Sequence, residues 1–212
     1  MPAPQEIRNE KLARKIIKNL ERRHFEAYYC ATSADAIARV LSLIPDGSSV
    51  TWGGSASIRD MGLTKALSDA NRFEVWDRDL VKTPEEKVEM YHRAFSADVY
   101  LSSANAMSED GVIVNIDGNG NRVAAITYGP KRVIFVVGLN KVCGTVEAAL
   151  VRARTTAAPI NSARFDIETP CQIDGCCHNC NLAQSICNFV HFLRNSPGGR
   201  HTVVLVGEEL GY

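Results

Sequence analysis

The sequence predicts an α/β fold in which a mostly parallel sheet is flanked by helices. Short apolar segments alternate with amphipathic ones along most of the 212 residues, which is typical of parallel strands joined by helices. Apolar residues make up 45% and charged residues 23% of the chain, as in ordinary globular proteins. We interpret residues 1–212 as one domain, with a cysteine-rich segment at 169–194 packed on it.

The first half of the chain alternates regularly between helix and strand. Ile7, Leu12, Ile16 and Leu20 recur near helical spacing in the first segment. The sequence Thr83-Pro84-Glu85-Glu86 is a helix start with a capping residue and an early proline. Helices are predicted at 5–24, 34–44, about 58–70 and 84–95, and strands at 25–30, 48–52, 73–76 and 98–102.

The second half opens with a predicted hairpin. The apolar runs Val112–Ile116 and Arg122–Thr127 flank Asp117–Asn121, whose Asp, Gly and Asn residues favour a tight turn. Arg132–Val137 is strongly apolar and is expected at the centre of the sheet. Further helices are predicted at 145–156 and 181–193, and a last strand at 202–206.

Charge and hydropathy argue against two classes of partner. The net charge is zero and the pI is about 6.9, so neither nucleic acid nor a membrane surface is expected to attract the chain. No apolar run approaches the length of a membrane span, and the N-terminus lacks the apolar core of a signal peptide. These features predict a cytoplasmic protein, where clustered cysteines indicate metal or redox chemistry before disulfides.

A glycine- and serine-rich loop is the first candidate site. Gly53, Gly54, Ser55 and Ser57 follow a predicted strand and precede a helix, an arrangement that exposes backbone N–H groups to phosphate or carboxylate. The alternative is an ordinary strand-to-helix turn with a capping serine. The loop has neither the Walker ending nor the dinucleotide-binding glycine spacing.

Two further loops follow strands whose carboxyl ends are expected at the same edge of the sheet. Asn105 and Glu109 come after the strand at 98–102, and Asn140 and Lys141 come after the strand at 132–137. Glu109 can act as a base or nucleophile if it is desolvated, and Lys141 can hold an anion. We assign these two as the catalytic candidates, and we count Asn115 among the ligand-binding residues. The alternatives are a solvated loop and an exposed lysine.

Five of the seven cysteines lie between residues 171 and 187. Four thiolates at this spacing suit either tetrahedral zinc or an iron–sulfur cluster. Cys176 is a spare thiol, and His178 is an alternative ligand. A disulfide pair or four unliganded thiols are the other interpretations. The predicted metal ligands are Cys171, Cys177, Cys180 and Cys187.

Several stretches, in order and spanning most of the chain, resemble the LUD (lactate utilisation) domain family. They are WGGSASIRDMGL at 52–63, ADVYLSSANAMSEDGVIVNIDGNGNRVAA at 97–125, the segment 128–165, and VGEELGY at 206–212. The cysteine segment resembles the tail of a compact subgroup with the pattern TPC-x-x-T-G-x-C-x-x-C followed by Ile-Cys. Asp174 replaces the usual Thr, and Cys176 is an extra cysteine.

The resemblance implies a fold like that of ribose-phosphate isomerase, glucosamine-phosphate deaminase and CoA transferases. It also implies that the Gly53–Ser57 loop holds an anion, and it associates the chain with oxidation of lactate by an iron–sulfur system. The leading hypothesis is therefore a LUD-domain protein that binds a small anionic metabolite and a metal or iron–sulfur centre. The alternatives are an enzyme acting on CoA or sugar phosphates, and a non-catalytic subunit that docks to an iron–sulfur partner.

Overall fold

The computed structural model describes residues 3–212. The α-helices in that range are α1 Pro4–Arg22, α2 Ser33–Leu43, α3 Ala56–Asp60, α4 Leu63–Asp69, α5 Pro84–Arg93, α6 Asn121–Thr127, α7 Val146–Arg152, α8 Ala158–Ser162 and α9 Pro170–Asp174. The strands are β1 Glu26–Cys30, β2 Ser49–Trp52, β3 Glu74–Val75, β4 Val99–Ser102, β5 Ala106–Ser108, β6 Ile113–Asp117, β7 Arg132–Gly138, β8 Val142–Cys143, β9 Phe189–Leu193 and β10 His201–Val206. No helix in the described range is long and apolar enough to cross a membrane.

Six strands form one sheet in the order β1-β10-β7-β4-β2-β3, and every neighbouring pair is parallel. The predicted α/β class with a mostly parallel sheet is therefore confirmed. Strand β7 lies inside the sheet between β10 and β4, as its apolar run predicts, and all its residues after Arg132 are buried. Because β2, β4 and β7 are neighbours, the loops that follow them meet at one edge.

Helices cover both faces of this sheet. On one face, Ile16 and Leu20 of α1 share a buried cluster with Phe135 of β7. On the other face, Val40 of α2 and Ile58 of α3 are buried in a second cluster that includes alternate residues of the same strands. Full burial of an aliphatic side chain of this size stabilises the fold by roughly 1.5–3 kcal/mol. The two clusters together fix the sheet on which the site is built.

A second, four-stranded sheet has the order β8-β5-β6-β9. Met107 of β5 and Ile113 of β6 enter the same buried cluster as α1, so this sheet covers part of the first one. Its opposite side packs against α7 through Val114, Ile116 and Ala149. A π-helical turn at Ala153–Ala157 joins α7 to α8, and this helical segment reaches both cavities described below.

The predicted hairpin strand at Arg122–Thr127 is wrong, because this segment is helix α6. The Asp117 carboxylate accepts the N–H groups of Asn119 and Gly120 at 3.1 and 3.0 Å, and Gly120 has a φ of +82°. This turn reverses the chain directly into a helix, where Val123 and Ile126 are buried. A six-residue apolar run carries too little periodicity to separate helix from strand.

The helix predicted at 181–193 is also wrong. Only Phe189–Leu193 is regular, and it is strand β9, paired antiparallel with β6. The pairing of β9 with β6 overrides the local helical pattern. Smaller differences concern helix ends: α2 begins at Ser33, one residue before the predicted start, and the Thr32 side chain caps it by accepting the Asp35 N–H. The helix predicted up to about residue 70 is divided at Gly62, which has a φ of +86°.

Candidate functional site

A cleft lies at the edge of the large sheet where β2, β4 and β7 end. Gly54 and Ser57 follow β2, Ser103 and Asn105 follow β4, and Lys141 follows β7, and all five line a cavity of about 200 Å³. This is the edge at which open parallel sheets bind their ligands. The sequence therefore predicted the place of the cleft from its strand ends.

The lining of the cleft is strongly cationic. Its basic side chains outnumber its single carboxylate, that of Asp117, by five to one. Clefts lined by one sign of charge concentrate ligands of the opposite sign. We call this site the cationic cleft, and its basic residues are Arg78, Lys87, Arg122, Lys141 and Arg164.

Lys141 closes the floor of the cleft at the end of a short 3₁₀ helix after β7. Only 2% of the residue is exposed. Its Nζ donates to Ser57 Oγ at 2.7 Å, to the Ala104 carbonyl at 3.2 Å and to Ser103 Oγ at 3.3 Å. These partners are all uncharged, so no carboxylate in this group compensates a buried ammonium.

The environment of Lys141 favours its neutral form. Burial lowers the pKa of its amine, and the nearby positive charges of Arg152 and Arg122 lower it further, to about 7. A buried amine with a pKa near neutrality can accept or release a proton at physiological pH. Lys141 is thus better suited to proton transfer than the permanent charge of an arginine would be.

Arg122 connects two walls of the cleft. Its guanidinium donates to Asn105 Oδ1 at 2.9 Å and to the Ile116 carbonyl at 2.6 Å, and it lies 3.4 Å from the Asp117 carboxylate. Asn105 also accepts the Ile116 N–H at 3.0 Å. A planar guanidinium held by several acceptors is preorganised and needs little rearrangement to meet an anion.

The rims of the cleft are set by two more arginines. Arg78 donates to Tyr91 Oη at 3.1 Å and lies over the same ring. On the other rim, Arg164 donates to Tyr212 Oη at 2.9 Å, and Tyr212 in turn donates to Asn161 Oδ1 at 3.0 Å. The partners of Arg164 in these contacts are neutral, whereas Arg78 Nε also lies 3.9 Å from the Asp79 carboxylate. The positive charge of Arg164 is therefore the more available of the two to a ligand.

The two glycines of the predicted anion loop have different roles. A Cβ on Gly53 would lie 2.7 Å from Tyr100 Oη and 3.1 Å from Arg122 Cγ, so Gly53 leaves room for the side chains under the cleft. A Cβ on Gly54 would meet only the end of Arg78, at 3.6 Å. Only Gly54 lines the cavity.

The remaining loop residues cap or brace the site. Ser55 lines the cleft, and its hydroxyl is the N-cap acceptor of α3. Asn140 is not among the lining residues; its Oδ1 accepts the Leu210 N–H at 3.2 Å and holds the C-terminal segment. Asn115 is fully buried away from the cleft, and neither its Oδ1 nor its Nδ2 has a partner within the described residues.

The structure does not bring Glu109 to the cleft. The turn between β5 and β6 places it against α1, where its carboxylate pairs with Lys15 Nζ at 2.5 Å and its carbonyl accepts from Asn19. The desolvation that a catalytic carboxylate requires is absent from such a partly exposed surface pair. The assignment of Glu109 as a catalytic group stays an untested prediction without geometric support.

The four predicted metal ligands line one separate cavity of about 170 Å³. Arg154, Pro159 and Val190 supply other parts of its wall. Cys176 is exposed and is not part of this wall, whereas His178 is part of it and pairs with Asp174 at 2.8 Å. We call this site the cysteine cavity, defined by Cys171, Cys177, Cys180 and Cys187.

The thiols of the cysteine cavity interact electrostatically. Burial raises the pKa of Cys187, and the neighbouring thiolates of Cys177, Cys171 and Cys180 raise it further, to about 11. Among residues 3–212, no group of three or more His, Cys, Asp or Glu side chains is arranged to hold a metal ion. A single tetrahedral zinc with bonds of about 2.3 Å would need the four sulfurs roughly 3.8 Å apart.

The cleft and the cysteine cavity share one wall. Ile116 of β6 lines both, and its backbone pairs with that of Val190, which lines only the cysteine cavity. The segment after α7 also reaches both sites, because Arg154 and Pro159 lie at the cysteine cavity and Arg164 lies at the cleft. Two chemically different sites are therefore separated by one side chain.

Sequence reasoning missed most of the charged rim. Arg78 and Lys87 lie in or beside short helices without a local pattern that marks them as functional. Arg122, Arg164 and Tyr212 occur within the stretches quoted for the LUD resemblance, and that was the one signal for them. Their convergence on the cleft depends on contacts between distant segments, which spacing along the chain does not reveal.

The parallel sheet flanked by helices, with a cleft at the carboxyl edge of its strands, defines an α/β protein with an open parallel sheet. A model of the LUD domain matches residues 13–206, and the chain belongs to the LUD domain family. A comparison with curated proteins found no match.

Solved structures extend this comparison to the fold. The chain is similar to a DUF162 family protein from Deinococcus radiodurans, with a TM-score of 0.55 and 14% identity over 93% of this chain and 98% of that one. Ribose 5-phosphate isomerase A from Neisseria gonorrhoeae matches with a TM-score of 0.36 and 12% identity over 52% of each chain. eIF2B delta from Chaetomium thermophilum matches with a TM-score of 0.36 and 15% identity over 68% of this chain and 57% of that one. The last two likenesses are too distant to support an inference.

Proposed function

We propose that this LUD-domain protein binds a small anionic metabolite in the cationic cleft. The observation that carries the proposal is the charge of the lining, with five basic side chains and one carboxylate. Lys141 contributes only part of a charge near neutral pH, so Arg78, Arg122 and Arg164 supply most of the attraction. Arg122 and Arg78 are partly compensated by the carboxylates of Asp117 and Asp79, at 3.4 and 3.9 Å, whereas the partners of Arg164 are neutral. Guanidinium groups bind carboxylate and phosphate through paired hydrogen bonds.

A ligand series of increasing charge tests this proposal. Lactate, succinate, pyrophosphate and CoA are compared by thermal shift and calorimetry at fixed ionic strength. Affinity is expected to rise with ligand charge and to fall with added salt. A ligand at about a hundredfold its Kd stabilises the folded state by roughly 2.7 kcal/mol. The proposal fails if no member of the series stabilises the protein.

Paired variants locate the binding. Arg164→Gln removes a charge at the rim and is expected to weaken pyrophosphate binding by about tenfold, which corresponds to roughly 1.4 kcal/mol. Lys131→Gln is the matched control, because Lys131 is an exposed lysine paired with Asp98 outside the cleft. Equal weakening by both variants would mean that net charge, and not the cleft, attracts the ligand.

The second part of the proposal concerns a resident centre in the cysteine cavity. Four thiols line a single cavity, and burial with the charge of neighbouring thiolates raises the pKa of Cys187, so a positive metal centre would stabilise the group in its ionised form. Four thiolates are a ligand set for both an iron–sulfur cluster and tetrahedral zinc, and the cluster is the centre proposed here. Cys171, Cys177, Cys180 and Cys187 would hold the cluster, which would supply one-electron transfer beside the cleft.

Anaerobic purification followed by metal analysis tests the centre. Visible absorbance with iron and acid-labile sulfide supports a cluster, whereas colourless protein with one equivalent of zinc contradicts the electron-transfer role. We further propose that the anion site and the centre act together in the use of lactate or a related organic acid. Growth of the native host on lactate, with and without the gene, tests that role.

An alternative is a subunit that docks to an iron–sulfur partner. Phe189 and Val190 of β9 are 47% and 48% exposed beside the cysteine cavity, and apolar groups at the rim of a redox centre suit a transient partner. A pull-down from the native host under low oxygen, with Val190→Lys as the disrupted variant, distinguishes this role. A transferase acting on CoA or sugar phosphates is the other alternative, and the same ligand series tests it.

A further inference from the structure

Three groups meet on the floor of the cleft in an arrangement that anion binding alone does not use. The hydroxyls of Ser57 and Ser103 lie 2.7 and 3.3 Å from the amine of Lys141. All three residues are at most 3% exposed, and all three line the cavity. Ser103 directly follows β4, Ser57 lies in α3 after β2, and Lys141 lies in the 3₁₀ helix after β7. The segments that follow three neighbouring strands therefore bring the three groups together.

We propose that Ser57 and Lys141 form a nucleophile–base pair that accepts an acyl group from an anionic ester or thioester. The inference rests on the proposed anion binding, because the cationic rim would hold the negative part of the acyl donor. It differs from the sequence-based expectation, in which Glu109 was the catalytic carboxylate. A serine and a lysine on different elements are recognised as such a pair by geometry, not by sequence spacing.

The distances satisfy what such a pair needs. A nucleophile and its base lie within about 2.6–3.2 Å, and a third group orients the base. Ser57 Oγ lies 2.7 Å from Nζ, and the Ala104 carbonyl, at 3.2 Å, holds the amine from another side. The competing acceptor for the Ser57 hydroxyl, the Leu210 carbonyl, is 3.4 Å away, so its hold on the proton is weak.

The electrostatic surroundings keep the base available. Arg152 and Arg122 are the charged groups that act on Lys141, and together with burial they lower the pKa of its amine to about 7. Near neutral pH a substantial fraction of the amine is therefore unprotonated. An amine in its ordinary range would be fully protonated and would have no free electron pair to accept a proton.

The chemical step balances without further reagents. Ser57 Oγ attacks the acyl carbon while its proton moves to Lys141 Nζ. The bond from the acyl carbon to the leaving oxygen or sulfur then breaks, and the leaving group takes the proton from Nζ. The products are an acyl-serine and a free alcohol or thiol. In the second half of the reaction, the same amine deprotonates water or another nucleophile, which attacks the acyl carbon. The bond from the acyl carbon to Ser57 Oγ then breaks, and Oγ takes the proton back from Nζ.

The mono(4-nitrophenyl) ester of succinic acid tests the pair on the full-length protein. It offers an activated acyl carbon and one carboxylate for the cationic rim. We expect a burst of nitrophenolate, a succinyl group in the intact mass, and that group on Ser57 after digestion. The burst rate is expected to rise with pH through about 7, in step with deprotonation of Lys141.

Variants separate the nucleophile from the base. Ser57→Ala is expected to abolish acylation, and Ser57→Cys to retain it because the thiol replaces the hydroxyl. Lys141→Met is expected to slow acylation by roughly 10²–10⁴-fold, the usual contribution of a general base. Ser68→Ala, an exposed serine on α4, is the control and should acylate like the wild type. Each variant is first checked for a cooperative thermal transition.

The outcomes distinguish this inference from the anion-binding proposal. A succinyl group on Ser103 or on any lysine overturns the assignment. If succinate and pyrophosphate bind but no acyl-enzyme forms, the inference fails and the proposed anion site stands. If neither ligand binds and no acyl-enzyme forms, both fail. Mapping the modified residue on the wild-type protein keeps the test decisive even if Ser57→Ala does not fold.

Discussion

The cationic cleft and the cysteine cavity share Ile116 as a wall, yet their side chains are held in different ways. In the cleft, Arg122 and Lys141 each form several hydrogen bonds to uncharged protein groups, so their positions are fixed without a ligand. In the cysteine cavity the thiols have one or two hydroxyl contacts at most, at 3.3 Å from Cys171 Sγ to Ser162 and Thr169 and at 3.9 Å from Cys180 Sγ to Ser185 Oγ. A preorganised site suits reversible binding, whereas four thiols grouped in one cavity suit a resident metal centre.

The largest effect is expected from substitutions in the cysteine cavity. Cys177→Ser and Cys180→Ser should each lose most of the metal and the visible absorbance, because a serine hydroxyl is a much poorer ligand for soft metals. Cys176→Ser is the matched control, since this thiol lies outside the cavity. Metal content and absorbance are measured after anaerobic purification.

The cleft should not respond to those changes. Pyrophosphate affinity is expected to stay within about threefold in both cysteine variants, because neither cysteine is among the residues that line the cleft. Metal retained in both variants would show that the ligand set is wrong. Loss of pyrophosphate binding together with the metal would show that the two sites are one.

A change of several kcal/mol is expected from the titration of Lys141. Its ordinary pKa is 10.5 and its folded value is about 7, so between these values the unfolded chain binds a proton that the folded chain lacks. Stability therefore rises with pH from about 7 to about 10.5, by at most roughly 1.4 kcal/mol per pH unit. Below about 7 the full cost of burying the charge is present.

Lys141→Met isolates this contribution. The free energies of unfolding of the wild type and the variant are compared at pH 7, 8, 9 and 10 by urea denaturation. The free energy of unfolding of the wild type should rise relative to that of the variant as pH rises, because only the wild type has a buried ammonium that becomes neutral. A difference that is constant with pH would mean that Lys141 stays protonated in the fold.

Elements that depend on residues close together in the sequence were predicted well. The Thr83 capping box with Glu86 is present in the structure, because a cap depends only on neighbours in the chain. Strand β7 was recognisable because a strand that is buried on both faces of a sheet is apolar throughout and does not alternate apolar with polar residues. Segments decided by distant partners were missed: α6 depends on the turn at Asp117, and β9 depends on pairing with β6.

The same distinction applies to the candidate site. Ser57, Asn105 and Lys141 were predicted because each follows a strand, and parallel strands end at the same edge. Arg78 and Arg164 were missed because nothing next to them in sequence marks their convergence. Glu109 was expected at this edge, but the strand β5 that follows β4 carries it away and toward α1. Strand ends thus predict where a cleft lies but not its rim.

A pair of glycine variants tests the different roles of Gly53 and Gly54 in the cleft. Gly53→Ala should destabilise the protein by about 1–3 kcal/mol, the usual cost of overpacking, and weaken pyrophosphate binding, because its Cβ would displace Tyr100 or Arg122. Gly54→Ala should change stability by less than about 0.5 kcal/mol, since its Cβ meets only the flexible end of Arg78. Thermal melting and calorimetry measure both. Equal effects would contradict the two roles given to these glycines.

The smallest expected effect comes from the wall that the two sites share. Ile116→Val removes one methylene from a residue that is 6% exposed and should cost about 0.5–1.5 kcal/mol of stability. Metal content and pyrophosphate affinity should each stay close to the wild type, because the backbone pairing of β6 with β9 holds the wall in place. Val114→Ala, a core change in the same strand that touches neither site, is the control. The visible spectrum is also recorded with and without pyrophosphate. If pyrophosphate shifts the spectrum, and if Ile116→Val alters this shift while Val114→Ala does not, the two sites communicate through the Ile116 side chain.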